Sequence, residues 1–147
     1  MKKPLVLYFL IILILFVSVC GIFGGWNLIK DPTGKSLQFP DNYLKNTIFQ
    51  DYFFPGIILF TIIGIFPLLI IYGIIKNSLD FLEIFNIYKD EKWQFSFIIY
   101  YGIILIVWID VQIIMVPYFI LQPIISLIGV VIILLSLSSS IREHFLK

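Results

Sequence analysis

Asp110 is the residue whose type and position most suggest chemistry within a membrane. It is the only charged side chain between Lys92 and Arg142, and it lies inside a long apolar run. Placing a carboxylate at the centre of a membrane helix costs ~2.5–3.5 kcal/mol on insertion scales, so such residues usually serve a function. A buried carboxylate that alternates between a proton and a cation would suit a small carrier.

The depth of Asp110 favours a structural role over this transport role. The chain turns near Pro117, so Asp110 lies ~10 Å from the end of its helix at ~1.5 Å per residue. At that depth a carboxylate can meet headgroups, water or a loop donor. Its neighbours at helical spacing are apolar, namely Ile106, Val107, Ile113 and Ile114. We expect a hydrogen-bonded residue at the outer rim, with a proton or cation site as the alternative.

Two glutamines on either side of the Pro117 turn form a second candidate polar site. Gln112 continues a stripe of side chains at helical spacing, which predicts the face that points to the protein interior; the stripe is Tyr101, Leu105, Trp108 and Gln112. A hydrogen bond from Gln112 to Gln122 across the turn would contribute ~0.6–2 kcal/mol to helix packing. A polar pocket for a ligand is the alternative interpretation.

A polar segment from Trp26 to Asp51 carries the third candidate site. Asp31-Pro32-Thr33-Gly34 has the residue order of a type I turn. Together with Asp51 and Tyr52, this turn could bind a cation or a partner. Calcium usually takes six to eight oxygen ligands, and these few carboxylates favour a folded cap over the helices instead. Thr47 to Gln50 fits a capping box at the start of the next helix.

Gly21 and Gly25 match the pattern of two small residues four positions apart, at the end of the first apolar run. Glycines at this spacing let helix backbones approach closely. Packing within the chain is the favoured interpretation, and homodimerisation is the alternative.

The composition predicts an all-α membrane protein. Apolar residues make up 61% of the chain and charged residues 13%, against about half and a quarter in soluble domains. The apolar residues form long runs rather than alternating, which favours a helical bundle over a β-barrel. The net charge of +1 gives no reason to expect nucleic acid as a partner.

The chain offers little material for catalysis. Its one cysteine, Cys20, and its one histidine, His144, exclude an intrachain disulfide, a cysteine-based zinc site and a histidine relay. No nucleophile–base pair stands out. We therefore expect a protein that is not an enzyme and that uses no cofactor or metal.

The apolar runs predict one domain over residues 1–147, a polytopic bundle of four transmembrane helices. The predicted spans are 5–25, 55–75, 95–115 and 120–138. Pro67 should kink the second span. Between spans two and three, a mixed apolar and acidic stretch predicts a short interfacial helix with Ser78 as a candidate cap. We expect the tail after Ser138 to leave the membrane.

Lysine and arginine predict the orientation. With the N-terminus inside, the inner side would carry Lys2, Lys3, Lys76, Lys89, Lys92, Arg142 and Lys147, and the outer side Lys30, Lys35 and Lys45. This asymmetry favours a multi-pass protein of the cell membrane with both termini in the cytoplasm and an ordered extracytoplasmic loop between helices one and two. A cleaved signal peptide ending near Cys20 is the rival interpretation of the first span.

Several loop residues resemble an uncharacterised family of small four-helix prokaryotic integral membrane proteins. The matching residues are Gly24 to Trp26, Asp31 to Leu37, Pro40, Phe49 to Gly56, Gln112 and Leu121 to Pro123. The resemblance implies a four-helix membrane fold with an Asp-Pro-x-Gly outer loop, and it implies no activity. Asp110 lies outside the shared pattern.

The sequence thus leads to two hypotheses. The first is a non-enzymatic integral membrane protein that acts by interaction or as an accessory subunit. The second is a small oligomeric transporter or channel component that uses polar residues near the outer leaflet. The expected partners are the lipid bilayer and either a second copy of the chain or another membrane protein.

Overall fold

The computed structural model describes residues 3–147, of which 72% are helical, and it contains no strand in that range. The α-helices are α1 (Leu5–Lys30), α2 (Phe53–Lys76), α3 (Trp93–Met115), α4 (Leu121–Ser136) and α5 (Ser139–Phe145), with short 3-10 helices at Lys35–Leu37 and Asp80–Phe85. Lys2, which the orientation prediction uses, lies outside the described residues. The prediction of an all-α chain is confirmed.

Three helices are long and apolar enough to cross a membrane: Leu5–Lys30, Phe53–Lys76 and Trp93–Ile114. A fourth crossing exists only if α4 and α5 form one broken span, because they meet at 67°. The structure therefore has three to four candidate membrane spans, as expected of a polytopic membrane protein.

The predicted fourth span over 120–138 corresponds to α4, which is shorter than predicted and is followed directly by α5. Helix α4 ends at Ser136, Ser138 is extended, and α5 begins at Ser139 in a new direction. The hydroxyls of Ser136 and Ser138 donate to the carbonyls of Ile133 and Leu135. Such local side-chain bonds compete with the helix's own hydrogen bonds, which explains a break at this serine cluster.

The helices enclose an apolar core. Helix α1 packs against α2 and α4, and α3 packs against the same two helices. Residues of α1 at spacings of three and four lie fully buried on the inward face; they are Leu7, Leu10, Ile14 and Val17. Two residues of the stripe predicted to face inward on α3, Tyr101 and Leu105, are also fully buried.

Pro67 changes the form of α2. Proline has no N–H for the carbonyl four residues earlier, which here is that of Ile63. The helix adopts a π-helical turn over Leu59–Ile65 just before Pro67. The Tyr101 hydroxyl donates to the Ile63 carbonyl at 2.9 Å, and the Ser18 hydroxyl donates to the Gly64 carbonyl at 2.6 Å. The predicted kink is thus a π-helical turn whose carbonyls receive donors from α1 and α3.

Contacts between loops define two ends of the molecule. At the loop-1 end, loop 1 (residues 31–52) meets the α3–α4 turn through the stacked rings of Tyr43 and Phe119, whose centroids are 6.4 Å apart. At the terminal end, loop 2 (residues 77–92) meets the C-terminus, where the Lys147 N–H donates to the Asp90 carbonyl at 3.0 Å.

Two predicted helix caps are wrong. Thr47 lies six residues before the start of α2, and its hydroxyl bonds locally to the Leu44 carbonyl. Asp51 instead accepts the Phe53 N–H at 2.9 Å, at the first turn of α2. Ser78 does not cap the helix Asp80–Phe85, because Leu79 precedes that helix in the left-handed region, with φ 71°.

Candidate functional site

Asp110 lies exposed on the outer surface of α3. The neighbouring side chains on this surface are apolar and exposed, with Val107 at 53% and Ile114 at 82%. Within residues 3–147 the Asp110 carboxylate accepts no hydrogen bond and forms no ion pair. Val107, Ile113 and Ile114 therefore face away from the protein together with Asp110, whereas Ile106, the fourth expected neighbour, is half-buried and faces Gly129.

Gln112 and Gln122 do not form the predicted hydrogen bond in the part of the chain described. Gln122 is 0% exposed, and its Oε1 accepts the N–H of Phe119 at 3.2 Å. Gln122 therefore turns back onto the residues just before its own helix. Gln112 is half-buried. The Nε2 of Gln122 has no partner among residues 3–147. The structure does not bring Asp110, Gln112 and Gln122 together at one cavity.

Asp31 organises the turn at the start of loop 1. The Asp31 carbonyl accepts the Gly34 N–H at 3.1 Å, the hydrogen bond that commonly closes a type I turn. Its Oδ1 accepts the Thr33 hydroxyl at 2.6 Å, and its Oδ2 accepts the Ser36 N–H at 2.9 Å. The hydrogen bond from Thr33, followed by that from Ser36, lowers the pKa of Asp31. Both carboxylate oxygens are thus used inside the turn.

Tyr52 fastens this turn to the start of α2. Its ring packs against Phe39, with centroids 5.3 Å apart, and its N–H donates to the Pro32 carbonyl at 2.9 Å. Burial raises the pKa of Tyr52. Asp51 is exposed and accepts the Phe53 N–H. Asp31, Asp51 and Tyr52 therefore lie in the same loop, but each makes its own structural contacts. Among residues 3–147 no cluster of three His, Cys, Asp or Glu side chains could hold a metal ion.

Gly21 and Gly25 face α2. A Cβ added to Gly21 would lie 2.9 Å from the Gly64 nitrogen, and one added to Gly25 would lie 2.7 Å from the Phe60 Cα. Gly56 faces α1 in the same way, since a Cβ there would lie 2.8 Å from the Leu28 Cβ. Helix α2 therefore occupies the glycine face of α1.

A polar network at the terminal end has no counterpart in the sequence predictions. The Glu91 side chain is only 2% exposed, and its Oε1 accepts the Arg142 Nε–H at 2.6 Å. This hydrogen bond raises the pKa of Arg142. The carboxylate of loop 2 and the guanidinium of α5 thus join two segments that lie far apart in the sequence.

Asn86 lies at the centre of this network and is almost fully buried. Its Nδ2 donates to Oε2 of Glu83 at 2.9 Å and to the carbonyl of Glu91 at 2.7 Å. Its Oδ1 accepts the Tyr88 N–H at 3.1 Å and the Ser96 hydroxyl. Every polar atom of the Asn86 amide has a partner, as a buried amide requires.

Glu83 connects the network to the first turn of α3. Its Oε1 accepts the Trp93 N–H at 2.9 Å, and Lys147 forms an ion pair with Oε2 at 3.0 Å. Burial acts to raise the pKa of Glu83, but hydrogen bonds from Asn86, Lys147 and Trp93 outweigh it and the pKa is lowered. A carboxylate at a helix N-terminus is also favoured by the helix dipole.

Two cavities lie at the terminal end. Cavity A has a volume of about 310 Å³ and is lined by Asn77, Asp80, Glu83, Lys92, Gln94 and Lys147, among others. Cavity B has a volume of about 370 Å³ and is lined by Asp90, Glu91, Ser139, Arg142, Glu143 and Leu146. Both cavities are bordered by loop 2 and the C-terminal residues.

His144 should make the terminal end sensitive to acid. Burial, together with nearby Lys3 and Lys92, lowers the pKa of His144. The unfolded chain therefore binds a proton at His144 more readily than the folded chain does. The folded protein keeps its full stability above the ordinary histidine pKa of about 6.5, and it loses stability as the pH falls below that value. We expect the melting temperature in detergent to fall on acidification from about pH 7.5 to 5.5.

His144→Gln should reduce this dependence, because glutamine does not titrate in that range. The measurement is a thermal unfolding series across pH for both proteins. An identical pH dependence of the melting temperature in the variant would remove His144 as its cause.

No protein-family model, curated protein or solved structure matches this chain.

Proposed function

We propose that this chain is a non-enzymatic integral membrane protein that acts by interaction, as an accessory subunit of another membrane protein or in an assembly of its own copies. In this proposal α1 to α4 form a four-helix transmembrane bundle with both termini in the cytoplasm. Loop 1 is an ordered cap on the opposite side of the membrane.

The exposed carboxylate of Asp110 carries this proposal. Glu83, Glu91 and Asp31 have partners within the protein, and Asp41 and Asp80 are exposed in polar loops. Asp110 instead points outward among exposed valine and isoleucine side chains. A charge on an apolar membrane-facing surface is costly unless another group pairs with it.

The partner suited to this surface is a transmembrane helix with a basic or hydrogen-bond-donating side chain at the depth of Asp110. The surrounding surface is formed by residues on one side of α3, namely Ile103, Val107, Val111 and Ile114. Such a surface can pack against another helix, while the carboxylate fixes the register of the two. Polar side chains act between membrane helices in this way.

A small oligomeric transporter is the alternative function. It would need Asp110, Gln112 and Gln122 to border one path, whereas Gln122 is buried and bonded to Phe119, and Asp110 points outward. Only an oligomer could bring Asp110 into an enclosed path.

Asp110→Asn should weaken the association without unfolding the protein, because Asp110 makes no contact that the fold requires. Membrane hydrogen bonds of ~0.6–1.7 kcal/mol correspond to a loss of about 3- to 20-fold in association. The measurement is the mass of the complex, isolated in lipid nanodiscs, with two differently tagged copies of the chain expressed together.

Asp41→Asn is the matched control, since Asp41 is exposed in loop 1 and the chemical change is the same. Equal complex mass for Asp110→Asn and the unchanged chain would contradict the interaction proposal. Proton flux in proteoliposomes that is lost in Asp110→Asn would favour the transporter instead.

A further inference from the structure

We propose that cavity A binds the zwitterionic headgroup of a phosphoethanolamine-class lipid. Its acceptor atoms would hold the primary ammonium group, and its lysines would hold the phosphate. The site lies at the terminal end, away from the Asp110 surface of the proposed function. It is therefore independent of that function.

Gln94, which lines cavity A, carries a buried side-chain oxygen that can accept a hydrogen bond. Gln94 is 2% exposed and lines the cavity, and its Nε2 donates to the Gly73 carbonyl at 3.1 Å. Its Oε1 is buried and has no partner among the described residues. A buried polar atom without a partner costs free energy. A hydrogen-bond donor from outside the chain would remove that cost at Oε1.

Asp80 and Glu83 place negative charge at the same cavity. Both line cavity A, and Asp80 is exposed and forms no hydrogen bond or ion pair within residues 3–147. Glu83 is shared with Lys147 and Trp93. A donor that enters next to a neutral acceptor and carboxylates is best provided by a cation, and a primary ammonium offers three N–H groups.

Two lysines provide the opposite charge at the same cavity. The Lys92 ammonium donates to Oδ1 of Asn77 at 3.0 Å. The Lys147 ammonium donates to the Lys89 carbonyl at 2.9 Å and pairs with Oε2 of Glu83 at 3.0 Å. Each ammonium group has three donors, so neither is exhausted by these contacts. A ligand with an ammonium and a phosphate a few atoms apart complements both sets of groups.

Apolar side chains place cavity A at a lipid surface. The helix Asp80–Phe85, which contributes Asp80 and Glu83 to the cavity, also exposes three large apolar side chains, with Phe81 at 70%; the other two are Ile84 and Phe85. This helix lies in loop 2, before the candidate span that begins at Trp93. Such a helix lies at the boundary of headgroups and acyl chains, so the ligand is a lipid.

The Gln94 oxygen should distinguish phosphoethanolamine from phosphocholine lipids. A trimethylated ammonium has no N–H to donate, so it would leave Oε1 without a partner. One hydrogen bond to a charged group corresponds to about tenfold in affinity. We expect a preference of about tenfold for the phosphoethanolamine lipid over a phosphocholine lipid with the same acyl chains.

Native mass spectrometry of the full chain in detergent, titrated with each lipid in turn, measures this preference. Gln94→Leu should abolish it, because leucine offers no acceptor. Gln50→Leu is the matched control, since it makes the same change on an exposed part of loop 1, and it should keep the preference. Equal affinity for the two lipids, or an unchanged preference in Gln94→Leu, would overturn the proposal.

Two further measurements keep the proposal testable if Gln94→Leu does not fold. Asp80→Asn changes an exposed residue and should lower the affinity for the phosphoethanolamine lipid, and an unchanged affinity would contradict the site. Water-soluble glycerophosphoethanolamine should fail to displace the lipid at equal concentration. Displacement at equal concentration would mean that the source is a free headgroup, which overturns the lipid assignment.

Discussion

Replacing Gly25 by alanine will destabilise the protein, although alanine is the better helix former. A Cβ at Gly25 would lie 2.7 Å from the Cα of Phe60, which is a backbone atom of α2. Backbone atoms cannot move aside alone, so the two helices must separate. We expect a loss of ~1–3 kcal/mol in the free energy of unfolding, as for other overpacked sites.

Gly24→Ala is the matched control, because Gly24 is the next residue along the same helix. A Cβ there would meet only Cδ2 of Leu59, at 3.1 Å, and the end of a leucine side chain can shift. The measurement is unfolding of both variants and the unchanged chain in mixed detergent micelles. Equal stability of the two variants would contradict the close approach of α1 and α2.

The same variants address the homodimer interpretation of Gly21 and Gly25. If the glycines packed α1 against a second copy, Gly25→Ala would change the mass of the complex and leave the unfolding of the monomer unchanged. Because α2 covers this face, we expect the opposite pattern.

The membrane helices could be predicted because a run of about twenty apolar residues needs a helix to satisfy its backbone in lipid. The predicted spans 5–25, 55–75 and 95–115 lie within α1, α2 and α3, with ends that differ by a few residues.

The terminal network could not be predicted, because its partners are distant in the sequence. Glu91 and Arg142 are separated by 51 residues, and Glu83 and Trp93 by 10. The sequence of loop 2 predicts a short amphipathic helix, and the structure has a helix at Asp80–Phe85. Which of its carboxylates turn inward depends on where α5 lies, and that direction follows from the bend at Ser138.

Gln122 shows a further limit of sequence reasoning. A polar residue near a helix start can bond across to a neighbouring helix or back to its own first turn. Composition and spacing do not distinguish these two outcomes. The structure has the local bond to Phe119, because side chains at helix starts readily satisfy the free N–H groups there.

Removing the hydroxyls of Tyr101 and Ser18 together will strongly destabilise the π-helical turn of α2. These hydroxyls donate to the carbonyls of Ile63 and Gly64, and all four groups are buried. A buried carbonyl left without a donor costs ~1–3 kcal/mol. Two such carbonyls would cost about 2–6 kcal/mol together. Because membrane hydrogen bonds are often weaker, we expect the double variant Tyr101→Phe with Ser18→Ala to lose about 2–4 kcal/mol of the free energy of unfolding.

Tyr100→Phe is the matched control for the tyrosine, because the Tyr100 hydroxyl donates to the Phe85 carbonyl in an exposed position. It should change the stability little, since water can replace the lost donor. Pro67→Ala gives a sharper test: it restores an N–H at the position that proline blocks, so Tyr101→Phe should cost less in the Pro67→Ala background. Additive losses in that double-mutant cycle would show that the Tyr101 hydroxyl does not compensate for Pro67.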